Sequence, residues 1–163
     1  MILNPTIQPA TAATAGKSTR SPLATVDGVA GMLDKPVQTV YARADGGDEA
    51  GECLQWVWNV STNPRGKIRN LRFWVPEVQD ARAVAGLSLE QVIDTILPAS
   101  RREFPAGTVC QFLQIRPITL SYLRGELGGE VRGNSGFYPR PGLVKFFKTR
   151  WLGAASGASR NPI

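Results

Sequence analysis

The chain has 163 residues, 42% hydrophobic and 20% charged, the proportions of one compact domain with a tail and enough length to bury a core without staples. It holds no histidine, which excludes Ser-His-Asp and Cys-His hydrolysis and histidine-ligated zinc. Cys53 and Cys110 are too few for a disulfide scaffold or a protein-only zinc site and read as buried thiols. The formal charge is +6, and residues 101–163 alone carry ten basic groups against Glu103, Glu126 and Glu130, a surplus that attracts polyanions.

Residues 1–36 are rich in Ala, Thr, Ser and Pro, with few large apolar groups and no period. Such a segment buries too little surface to offset its ordering entropy and reads as a disordered tail. There is no secretory pattern and no apolar run of 18 residues, so a cytoplasmic setting without membrane contact is expected. The span 37–80 reads as a β-hairpin subdomain. Leu54, Trp56, Trp58 and Val60 alternate with period two, Thr62-Asn63-Pro64-Arg65-Gly66 makes a turn, and Leu71, Phe73 and Val75 resume the alternation. Asp45 to Glu49 is read as a turn of solvated acids. Ser88 and Gln91 fit a capping box ahead of an apolar stripe at Leu89, Val92, Ile93 and Ile96, which Pro98 ends.

The segment from Thr108 to Leu123, within the stretch TVCQFLQIRPITLSYLR that ends at Arg124, spaces its apolar residues as two short helices crossing at a tight turn require. Val109 and Leu113 serve the first helix, Ile115 the turn, and Leu120 and Leu123 the second, with small Cys110 at the crossing and Pro117 in the first turn. Gly128 to Tyr138 then reads as two short strands around a Gly/Asn-rich turn. Pro141 opens a last helix with Leu143, Val144, Phe147 and Trp151 on one face.

Over residues 107–150 the sequence resembles the helix-turn-helix of bacterial and phage DNA-binding regulators, in particular the winged, excisionase-like and AlpA-like ones. It departs from them at Gln114, where that family usually places glycine. The resemblance implies double-stranded DNA as partner, bound by a homodimer on two half-sites. It also implies that Arg116, with Pro117 and Ile118 beside it, meets base edges at the start of the second helix, Arg116 by a bidentate contact to guanine. Ser121 and Tyr122 would add polar or thymine-methyl contacts. Thr108, Gln111, Thr119, Arg124, Arg132 and Arg140 would hold phosphates without reading sequence.

The expected fold is therefore α+β: a disordered N-terminal tail (1–36), a β-hairpin subdomain (37–80), a helix-turn-helix domain with a small β-wing (81–155) and a flexible C-terminus (156–163). The expected function is sequence-specific DNA binding, as a transcriptional regulator or an accessory factor of a mobile element. The alternative is a phage or plasmid assembly protein that works through its Trp-rich hairpin. No paired-carboxylate, phosphate-loop or metal-ligand spacing appears, so neither catalysis nor a cofactor, metal or small-molecule ligand is expected.

Overall fold

The computed structural model describes residues 21–153. Among these the chain is a mixed α/β protein with seven helices and two small antiparallel sheets of three strands each. The first half runs β1 (Leu23–Ala24), α1 (Val26–Leu33), α2 (Val37–Ala44), β2 (Val57–Asn59), β3 (Leu71–Trp74) and α3 (Val75–Gln79). After α4 (Leu89–Ile96) the second half runs β4 (Glu103–Pro105), α5 (Ala106–Leu113), α6 (Pro117–Leu127), β5 (Glu130–Arg132), β6 (Ser135–Pro139) and α7 (Arg140–Thr149).

The two halves are the same unit twice. Each is strand, helix, turn, helix, hairpin, helix, and each sheet has its last strand in the middle, in the orders β1-β3-β2 and β4-β6-β5. Val26 and Ala106, and Val37 and Pro117, open equivalent helices 80 positions apart. Asp34 and Gln114, also 80 apart, share one left-handed conformation, φ 54° and ψ 49°. In both turns the next amide reaches back five residues, Lys35 to the Ala30 carbonyl and Ile115 to that of Cys110.

This repeat corrects the assignment of the tail. Residues 21–36 carry β1 and α1, and Val29 is fully buried. The stripe of Val29 and Leu33 is short and diluted by Gly28 and Gly31, so composition conceals it. It nonetheless packs with Val40, Ala44, Leu71 and Phe73 as a small core, and the Thr25 hydroxyl caps α1 by accepting from the Gly28 amide. Residues 1–20 of the expected tail, and the expected flexible C-terminus, lie outside the described residues.

The first sheet is buried on both faces. Val57, Leu71 and Phe73 look toward α1 and α2. Trp56, Trp58 and Trp74 look the other way, into the larger core of the second half with Phe104, Leu113, Leu123 and Phe147. Backbone and side-chain bonds fasten this seam: the Trp58 indole donates to the Phe147 carbonyl (2.8 Å), and Arg150 donates to the carbonyls of Asn59 and Ser61 while pairing with Glu126. Trp151 lies beyond the end of α7 rather than on its face; it stacks on Trp56 with ring centroids 5.0 Å apart and donates to the Gln55 carbonyl. At the other end of α7, Gly142 sits against the Leu127 carbonyl, where any side chain would collide.

Strand β2 is shorter than the alternation predicts. The amides of Gln55 and Trp56 are taken by the buried carboxylate of Glu77 instead of a neighbouring strand. Burial pushes that carboxyl above its ordinary range, and the two amides oppose the shift. Two further expectations need correcting. Cys53 is exposed and Cys110 half-buried, because Cys53 lies ahead of the sheet and escapes its burial. Asp45 and Asp48 are not simply solvated: Asp48 pairs with Arg43 and accepts the amides of Ala50 and Glu52, while Asp45 holds Arg69 with both oxygens. The capping box of Ser88 and Gln91 forms as predicted.

Candidate nucleic-acid interface

Helices α5 and α6 meet at a turn whose shape follows from three residues. Gln114 takes the left-handed conformation that glycine adopts more readily, at roughly 1 kcal/mol. Its side-chain amide donates to the Gln111 carbonyl across the turn. Arg116 is the extended N-cap residue of α6 and makes no capping bond with its side chain, and Pro117 begins the helix where its missing amide costs nothing. The Arg116 guanidinium is thus exposed and, among the described residues, has no ion pair or hydrogen bond.

The buried side of α6 is Leu120, Leu123 and Leu127. Its outward ridge carries Ile118, Ser121, Tyr122 and Arg124, with Tyr122 73% exposed. An aromatic ring so exposed on a short helix does no packing work for the fold. Ser121 donates its hydroxyl to the Ile118 carbonyl (2.6 Å), leaving its oxygen as an acceptor.

The turn is anchored from the first half of the molecule. Arg72, on β3 and 6% exposed, donates to the carbonyl of Leu113 (2.7 Å) and to that of Gln114 (2.6 Å). Burial lowers its guanidinium to about 10, so it keeps its charge at neutral pH. Ser21 adds a bond from its hydroxyl to the Gln111 carbonyl. This anchor brings the loop between β2 and β3 alongside α6. Arg116, Ile118, Thr119 and Tyr122 form one wall of a groove, and Ser61, Thr62, Ile68, Arg69 and Asn70 form the other.

The remaining sequence-predicted residues are distributed differently. Thr108 is half-buried in the first turn of α5, and Gln111 is exposed on that helix. Arg124 is exposed and, among the described residues, unpaired. Arg132 is fully engaged: it pairs with Glu103 through two bonds and with Glu130, and lies over the Phe137 ring. The two carboxylates hold its pKa above the ordinary arginine value, and Arg132 in turn holds Glu103 below the usual carboxylate range. Arg140 donates to the Leu97 carbonyl and pairs with Asp94. Neither lines the groove.

Sequence reasoning missed Arg72, for which a lone arginine in an apolar strand was the available signal. The cations of the facing loop, Arg65, Lys67 and Arg69, are legible in the hairpin turn as groups that either touch a phosphate backbone or keep the ribbon soluble; that the loop lies against α6 is not. Among the described residues there is no cluster of three or more His, Cys, Asp or Glu side chains fit to hold a metal, and no helix is long and apolar enough to cross a membrane. Compared with family models, with curated proteins and with solved structures, the chain matches none.

Proposed function

We propose that this protein binds double-stranded DNA in a sequence-dependent way, as a regulator of transcription or an accessory factor of a mobile element, with α5 and α6 acting as a helix-turn-helix and the β5–β6 hairpin as its wing. The observation that carries this reading is the outward ridge of α6: an exposed, unpaired Arg116 beside an exposed Tyr122, in the half of the chain that holds the basic surplus. A major groove admits one α-helix, and residues at its N-terminal end reach base edges. Arg116 then takes a guanine edge, Ile118 and Tyr122 supply apolar contact to a thymine methyl, Ser121 accepts from an amino group, and Arg124 meets a phosphate. Arg132 and Arg140 brace the fold in the free protein, so their part in phosphate binding is secondary. A homodimer would set two such helices on half-sites about one helical turn apart.

The Trp-rich hairpin of the alternative reading is packed between the two halves, with Trp58 fully buried, so the surface that reading needs is not exposed.

Titration of labelled duplexes at several salt concentrations tests the proposal. The expected log–log salt slope is several negative units, near −0.9 for each phosphate contacted. Arg116→Ala should relax preference at one base pair, by roughly 5- to 100-fold in affinity ratio. Binding indifferent to salt, or an unchanged preference in Arg116→Ala, would refute it.

A further inference from the structure

The two hairpins treat their cations in opposite ways. In the second half, the single arginine of the β5–β6 hairpin is locked by Glu103 and Glu130. In the first half, the long loop between β2 and β3 carries Arg65, Lys67 and Arg69. Arg69 is held by Asp45. Arg65 and Lys67 are exposed and have no ion pair or hydrogen bond among the described residues. The same loop forms one wall of the groove described above through Ser61, Thr62, Ile68, Arg69 and Asn70, with Ile68 83% exposed; Arg65 and Lys67 lie in the loop between Thr62 and Ile68 and do not line the groove themselves.

We infer that the β2–β3 loop of the first half is the phosphate clamp for the reading helix of the second, with Arg65 and Lys67 gripping the backbone of the same duplex that α6 enters. This rests on the DNA-binding reading of α6. Three observations support it. The loop that carries Arg65 and Lys67 is the opposite wall of the groove that Arg116 and Tyr122 also line. Its two cations are unneutralised, whereas the wing on the reading unit has its own cation neutralised. Finally, Arg72 joins strand β3, which leaves the loop, to the turn that starts α6, so loop and helix keep a fixed spacing. Fixed spacing lets phosphate contacts set the register of a base-reading helix. The asymmetric duplication thus serves one site: the first unit supplies grip, the second supplies reading.

The test compares the full chain with two double variants of equal charge, Arg65→Gln/Lys67→Gln and Arg82→Gln/Lys145→Gln, in fluorescence anisotropy with the duplex the wild type prefers. The loop variant should lower the magnitude of the salt slope by about two and weaken binding roughly 10- to 50-fold at 0.1 M salt, with sequence preference retained. The control pair should leave the slope within half a unit. Equal effects in both variants, or an unchanged slope in the loop variant, overturn the clamp and leave the reading of α6 standing. A wild type that binds no duplex overturns the reading itself.

Discussion

The two halves of this molecule share a backbone plan and differ in what they do with it. In the first, the sheet is enclosed: every residue of β2 and β3 is buried, because helices cover one face and the second half covers the other. In the second, the hairpin strand β5 is exposed throughout and the outer ridge of α6 is open. At or beside its ends the first helix pair carries Asp27, Asp34 and Asp45 with Lys35 and Arg43, the second Arg116 and Arg124 with Glu126. Duplicated topology therefore does not mean duplicated exposure: one sheet is enclosed on both faces, and the other half keeps a hairpin strand and a helix ridge open.

That contrast breaks first at the seam. Trp58→Ala removes a fully buried indole and its bond to the Phe147 carbonyl, and should cost about 4 kcal/mol of stability, followed as a shift in the urea midpoint by far-UV circular dichroism. A loss under 1 kcal/mol would mean that the halves hold together without it. Arg72→Met is the next largest. It leaves the carbonyls of Leu113 and Gln114 without their donor and should cost about 3 kcal/mol; fast amide exchange at the start of α6 would show the turn loosening before the rest unfolds. The smallest effect tests whether the turns are equivalent. Asp34→Gly and Gln114→Gly each relieve a left-handed side-chain residue, and each should raise stability by about 0.5 kcal/mol once glycine's greater unfolded-state freedom is subtracted. Gains of opposite sign would show that the shared angles conceal different local energetics.

The sequence was legible where the signal is local. Ser88 and Gln91 lie three apart and cap α4 on their own terms, and the apolar offsets around Cys110 and Leu120 place α5 and α6 because a helix repeats every 3.6 residues. The left-handed conformation of Gln114 was legible only through the resemblance, whose family has glycine there, with a different turn left equally open. What escaped was set by distant partners. Arg132 and Arg140 look like free surface cations until Glu103 and Asp94, 29 and 46 positions away, are brought to them. The first helix pair was hidden for a different reason: its short stripe of Val, Ala and a single Leu is interrupted by glycines, and its burial depends on a sheet formed some 30 residues later. Aligning the chain with itself at an offset of 80, where Val29, Leu33 and Thr39 meet Val109, Leu113 and Thr119, would have exposed it.

All four tryptophans of the chain, Trp56, Trp58, Trp74 and Trp151, gather in the wall common to both halves. Their ultraviolet emission is accordingly a gauge of whether the halves are docked, and is nearly blind to events on the far side of either one.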